Sequence, residues 1–174
     1  MSARLLVLDV DGVMTDGSII YDDEGRELKA FHVRDGFALR LWARMGMASA
    51  IITGRSSPVV ERRARELGIT RVVQGSADKA TDLARVLGEL GVAPRDAAFL
   101  GDDWPDMTAM RLVGRPMAVA DAHPDVRALA SYITPSPGGR GAVRDAVEHL
   151  LDRGGLLARA RAFYDEPNAS EAHA

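Results

Sequence analysis

The sequence predicts an α/β fold, a Rossmann-like doubly wound parallel sheet, and three observations carry that reading. Short apolar runs alternate along the chain with segments whose apolar residues recur every three or four positions. Strands that alternate with helices pair in parallel and are covered on both faces. The 174 residues, 47% apolar and 27% charged, suffice for one soluble domain with its own core and are short for two.

The elements follow in order. RLLVLD (4–9) is a continuous apolar run of the kind buried on both faces. GSIIYDDEGRELKAF (17–31) breaks the alternation: two strand-like runs flank the polar turn DDEG, which predicts an inserted β-hairpin. Ile19, Ile20, Tyr21, Leu28 and Phe31 are much apolar surface for a hairpin that is marginal alone, so it packs on its own domain or on another copy of the chain. DGFALRLWARMG (35–46) places Phe37, Leu41, Trp42 and Met45 on one helical face. The strand ASAIIT (48–53) leads to SSPVVERRARELG (56–68), a helix with a serine cap, a proline at its start and a glycine past its end. RVVQ (71–74), AAFLGD (97–102), PMAVAD (116–121) and SYIT (131–134) read as strands. DKATDLARVLGELG (78–91) and GAVRDAVEHLL (141–151) read as helices. The expected organisation is one domain over 1–160, a hairpin at 17–31, and a disordered polar tail at 165–174.

Composition narrows the function. A net charge of −3 gives no support to a nucleic-acid partner. The absence of cysteine excludes a disulfide framework and thiolate chemistry, and fits a reducing cytoplasm. No apolar run has membrane-spanning length, and the N-terminus lacks the basic-then-apolar pattern of a signal peptide. The expectation is a cytoplasmic protein without a membrane partner. One bias stands out: of 22 basic residues only Lys29 and Lys79 are lysines, which directs attention to both.

In an open α/β sheet, ligands gather at the carboxyl ends of the strands. The sequence places Asp9, Asp11 and Gly12 after the first strand, and Thr53, Gly54 and Arg55 after ASAIIT. Lys79 opens a helix just past VVQG, and GDDWPD supplies Asp102, Asp103 and Asp106. A hard divalent cation explains so many carboxylates; Mg²⁺ takes oxygen ligands, here Asp9 and Asp102 from different strands. It would also keep Asp9 ionised and nucleophilic. Phosphoryl transfer needs charge stabilisation, which suits Lys79 and Mg²⁺, and positioning, which suits the Thr53 hydroxyl and the amides after Asp9. Asp11 can protonate the leaving oxygen and then activate water. Taken singly these residues are a turn, a strand end, a solvated helix start and a helix cap; their order and shared rim join them.

The four segments resemble the motifs of the haloacid dehalogenase superfamily of phosphohydrolases: DVDG (9–12), Thr53 in IITGR, Lys79, and GDDWPD (101–106). The resemblance implies an aspartyl-phosphate on Asp9, Asp11 as acid/base, and Mg²⁺ held by Asp9, the Asp11 carbonyl and Asp102, with Asp103 supporting. More narrowly, DVDGVMTDG, GRELKAFHVRDG, VADAHPDVRALASYIT and GGRGAVRD resemble the 3-deoxy-D-manno-octulosonate 8-phosphate phosphatases, from about residue 4 to 155. That family implies a domain without a separate cap, a homotetramer formed through the hairpin, and a product used in lipopolysaccharide synthesis. The spacing agrees, since the 41 residues between Asp11 and Thr53 are consumed by the hairpin and one helix. The implied substrate carries carboxylate and phosphate groups, which arginine forks suit. The resemblance assigns its contacts to His32, Val33, Arg34, Asp35, Gly36, Arg40, Arg55, Arg63 and Lys79. Arg140 in PGGRGA (137–142) sits on a glycine-rich loop able to reach a site. The chain departs from the family pattern at His32, at Trp104-Pro105 and after Gly155. A nine-carbon sialic-type acid 9-phosphate is the alternative substrate. A phospho-receiver module lacks an acid/base two residues past its aspartate, and a silent binding protein has no use for the intact motifs.

Overall fold

The computed structural model describes residues 3–165. The first half comprises β1 (Leu5–Leu8), β2 (Ile20–Tyr21), β3 (Glu27–Leu28), α1 (Val33–Arg44), β4 (Ala48–Ile52), α2 (Pro58–Leu67) and β5 (Arg71–Val73). The second comprises α3 (Lys79–Leu90), β6 (Ala97–Gly101), α4 (Met107–Met110), β7 (Arg115–Ala118), α5 (Pro124–Leu129), β8 (Tyr132–Ile133), α6 (Ala142–Arg153) and α7 (Leu157–Asp165).

Six strands form one parallel sheet in the order β5-β4-β1-β6-β7-β8. Every residue of β1 is buried, as its unbroken apolar run requires; Val7 pairs with Ala50 on one side and Phe99 on the other. From β1 the chain winds outward through β4 and β5, then returns to build β6, β7 and β8 on the opposite side. The reversal opens a crevice between the carboxyl ends of β1 and β6, where such sheets bind ligands. α1 packs against α2 and α6 on one face, while α3, α4 and α5 associate on the other. Trp42 anchors the first layer, fully buried, its indole N–H donating to the Ala48 carbonyl at 2.7 Å. Outside α6, α7 completes that layer, with Arg44 over the Phe163 ring and Phe37 5.1 Å from Tyr164.

Local signals work mostly as read. Gly68 and Gly91 end α2 and α3 in the left-handed conformation, at φ +72° and +61°. Asp78 caps α3 by accepting from the Ala80 and Thr81 amides. Ser57 occupies the cap position of α2, but its hydroxyl makes no bond to the helix; its own amide donates to the Gln74 side chain at 2.7 Å. The hairpin forms with a shorter ladder than the 17–31 run suggests, pairing Ile20 with Leu28 and Tyr21 with Glu27. The Asp22 carboxylate organises its turn by accepting from the Glu24 and Arg26 amides. Ile19, Ile20, Tyr21 and Leu28 are exposed, whereas Phe31 packs against the core. No other insertion interrupts the alternation among the described residues, so the fold carries no cap domain. Residue 165 ends α7, and the rest of the expected tail lies outside the described residues.

Candidate active site

Asp9 leaves the end of β1 directly into the crevice and is buried. The next turn is tight: the Val10 carbonyl accepts from the amides of Val13, Met14 and Thr15 and from the Thr15 hydroxyl. Gly12 sits in it at φ +93°, where a β-carbon would overlap the Asp102 carboxylate. The loop at 137–141 lies directly on this turn. A β-carbon on Gly138 would overlap the Gly12 carbonyl, and the Gly139 amide donates to the Val13 carbonyl at 2.9 Å. Glycines here let two loops meet backbone to backbone and the Asp102 carboxylate approach them.

Lys79, the first residue of α3, is the hub of the charge cluster. Its ammonium donates to Asp9 Oδ1 at 2.8 Å and to Asp106 Oδ1 at 2.6 Å, and all three residues are buried. Asp106 Oδ2 accepts the amides of Asp102 and Asp103 at 2.9 and 3.3 Å. Asp106 therefore ties the loop after β6 to Lys79, a role that only tertiary contact reveals. Burial alone would lower the Lys79 pKa, but the Asp9 and Asp106 carboxylates outweigh it and hold the ammonium above its usual range. Asp103 performs the capping job read from GDDWPD, its side chain accepting from the Trp104 amide at 2.8 Å.

The remaining charge is unbalanced. Oxygens of Asp9, Asp102 and Asp106 lie within 4.8 Å of one another, facing one lysine. Burial first, then Asp106 and Lys79 acting in opposite senses, bring the Asp9 carboxyl to about 6. Burial with Asp106 and Asp9 pushes Asp102 up to about 8. Uncompensated buried charge of this kind costs several kcal/mol, roughly, so the cluster calls for a cation. Both Asp106 oxygens are already engaged by Lys79 and two amides, which leaves Asp9 and Asp102 as the carboxylates free to ligate. An all-oxygen pair fits a hard divalent ion such as Mg²⁺.

Around this cluster lies an open cleft of about 500 Å³, lined by Asp9, Asp11, Thr53, Gly54, Arg55, Lys79, Asp102, Asp103 and Asp106. Ser76 and Ala77, which carry no motif signal in the sequence, and Pro105 also line it. Asp11 meets the hairpin arm and the loop after β4: the Lys29 ammonium donates to Asp11 Oδ1, and Arg55 Nε stands 3.8 Å from Oδ2. Glu27 receives Arg55 at 2.9 Å and Lys29 at 3.2 Å. The nearby Ser57 hydroxyl, Arg55 and Lys29 draw the Glu27 carboxyl down to about 2. Lys29 is a member of this cluster whose only sequence signal is the scarcity of lysine.

Several residues expected at the substrate lie outside the cleft lining. Val33, Arg34 and Arg40 are exposed on α1. Asp35 is buried and accepts the Arg144 amide at 2.8 Å, fixing the start of α6, with His32 Nδ1 4.0 Å from its other oxygen. Arg63 packs its guanidinium against Gly36 and over the Phe31 ring at 5.6 Å, and pairs with Glu66. Arg140 reaches Asp16 at 3.4 Å.

Comparison with known proteins supplies the family. The haloacid dehalogenase-like hydrolase family model matches residues 64–146. The chain is 46% identical over 158 residues to 3-deoxy-D-manno-octulosonate 8-phosphate phosphatase KdsC of Escherichia coli K12, covering 91% of this chain and 84% of that protein. This chain belongs to the KdsC family. A KdsC structure from Moraxella catarrhalis, in complex with magnesium ion, phosphate ion and KDO, superposes with TM-score 0.88 at 43% identity, covering 92% of this chain and 93% of that one. A probable YrbI-family phosphatase from Pseudomonas syringae gives TM-score 0.93 at 42% identity, with 95% and 94% covered. The likeness to these relatives thus runs along nearly the whole chain.

Proposed function

We propose that this protein is a Mg²⁺-dependent phosphatase that hydrolyses 3-deoxy-D-manno-octulosonate 8-phosphate to the free sugar acid and phosphate. The observation that carries the reading is the buried Asp9–Lys79–Asp106 cluster, with Asp11 and Asp102 in the same cleft. The family and the names of its relatives support the eight-carbon acid over a nine-carbon one.

The chemistry proceeds in two displacements. An Asp9 oxygen attacks phosphorus; the bond to the sugar oxygen breaks, and that oxygen keeps the electron pair and takes a proton from the Asp11 carboxyl. Asp11, now a carboxylate, removes a proton from water, whose oxygen attacks phosphorus and returns Asp9 as a carboxylate. The sum is ester plus water giving alcohol plus phosphate. Lys79 holds Asp9 in line and offsets charge on the phosphoryl oxygens, and the Thr53 hydroxyl and Gly54 backbone orient them. Bound through Asp9, Asp102 and the Asp11 carbonyl, Mg²⁺ supplies electrostatic stabilisation of the phosphoryl group. Arg55 is the arginine of the cleft that faces an anionic substrate.

The reading extends to assembly and place. The exposed Ile19, Ile20, Tyr21 and Leu28 support a homotetramer through residues 17–31, in which a neighbouring copy brings a residue such as Arg140 to bear on the open site. No helix among the described residues is long and apolar enough to cross a membrane. The cysteine-free composition supports the cytoplasm.

Asp9→Asn tests the assignment. Phosphate release from the sugar phosphate with Mg²⁺ should fall about a thousandfold or more, with the melting temperature preserved or raised. Near-normal turnover in that variant would remove Asp9 as nucleophile.

A further inference from the structure

The chain uses lysine twice, and Lys79 is accounted for by Asp9 and Asp106. We propose that Lys29 is a positioning residue for the reaction, fixing the side-chain orientation in which Asp11 meets the leaving oxygen. The proposal rests on Asp11 being the acid/base of the reading above.

Lys29 follows β3, yet its side chain is 1% exposed, while Leu28 beside it is 51% exposed. An ammonium buried so completely needs compensating partners. It has two: Asp11 Oδ1, and Glu27 Oε1 at 3.2 Å. Glu27 also binds Arg55 at 2.9 Å, and Arg55 Nε stands 3.8 Å from Asp11 Oδ2. Asp11, Lys29, Glu27 and Arg55 thus close a ring of alternating charge, in which a cation faces each Asp11 oxygen. Asp9, two residues earlier, is held by the other lysine. Separate lysines keep the two carboxylates from competing for one cation and hold each in its own orientation.

Orientation matters at this distance scale. An aspartate side chain has three staggered χ1 wells, and a misplacement of about 1 Å in a reacting group can cost about 100-fold. A Glu27–Lys29 pair alone would secure the hairpin. It would not require Lys29 to reach eighteen residues back to Asp11.

The test separates positioning from mere support of the hairpin. Leaving-group release is followed in single turnovers with Mg²⁺ for two substrates, 3-deoxy-D-manno-octulosonate 8-phosphate and p-nitrophenyl phosphate. The alkyl oxygen needs a proton to depart; the aryl oxide does not. Lys29→Met should slow alkyl release about 30-fold, with KM little changed, and slow aryl release less than about threefold. Lys29→Arg should restore most of the alkyl rate. In an Asp11→Asn background, Lys29→Met should cost nothing further. Equal losses on both substrates, an undiminished loss in the Asp11→Asn background, or no loss at all would overturn the proposal. Circular dichroism and melting establish that each variant folds, and Lys29→Gln takes the place of Lys29→Met if that variant does not. Failure of the substrate assignment reads differently: wild-type protein would then leave the sugar phosphate intact, and the Lys29 contrast is measured between a simple alkyl phosphate and the aryl one.

Discussion

Asp9 and Asp102 crowd carboxylate charge with Asp106 around a single lysine. Both carboxyls are held above the ordinary 3.8, Asp9 at about 6 and Asp102 at about 8, by burial and by neighbouring carboxylates. The folded protein therefore binds protons more tightly than the unfolded chain between about pH 4 and 8, and its metal-free stability falls as pH rises through that window. A divalent cation replaces those protons. Melting in chelator and in millimolar Mg²⁺ should show a cation-induced rise that is large near pH 8 and small near pH 5; equal rises at both would contradict the metal assignment. At this scale the sequence was legible where a residue's position in the cleft follows from its place after a strand, as for Asp9, Thr53 and Asp102. It was silent where the role needs a distant partner. Asp106 gives both oxygens to Lys79 and the 102–103 amides, and Lys29 was marked by scarcity but its partner was not.

The main strands and long helices could be read to within about three residues because buried parallel strands and amphipathic helices have different periods, whereas the short α4 and α5 show too few turns to carry a period. RLLVLD became β1 at Leu5–Leu8, and RVVQ became β5 at Arg71–Val73. Helix faces were less legible: Arg63 and Asp35 look solvent-ready in sequence, yet they serve packing with Phe31 and with α6. The hairpin ladder is two residues per strand because its pairing ends at the Asp22 turn on one side and at the arm toward Lys29 on the other. Its upper surface is apolar and exposed, with Ile20 45% and Leu28 51% accessible, more than an isolated projection favours. Replacing both, as Ile20→Asp with Leu28→Asp, should convert the assembly to monomers in analytical ultracentrifugation while leaving the melting of the domain little changed. An unchanged sedimentation coefficient would refute the hairpin interface.

For the molecule as a whole, sheet order explains why one small domain holds a complete charge cluster. Winding outward from β1 and then back brings Asp9 and Asp102 to neighbouring strand ends, and the start of α3 delivers Lys79 between Asp9 and Asp106. The glycines at 12 and 138 let the covering loops close over that point. Among the described residues no lid covers the cleft, and the proposed hairpin assembly would supply water exclusion and substrate grip. On the proposed route, phosphate passes through a covalent bond to Asp9. Rapid acid quenching during turnover of 3-deoxy-D-manno-octulosonate 8-phosphate with Mg²⁺, followed by peptide mass spectrometry, tests it most directly. A phosphoryl group on Asp9 that disappears in Asp9→Asn is the expected result. Full turnover with the phosphoryl group on another residue, or with Asp9→Asn as active as the wild type, would contradict it.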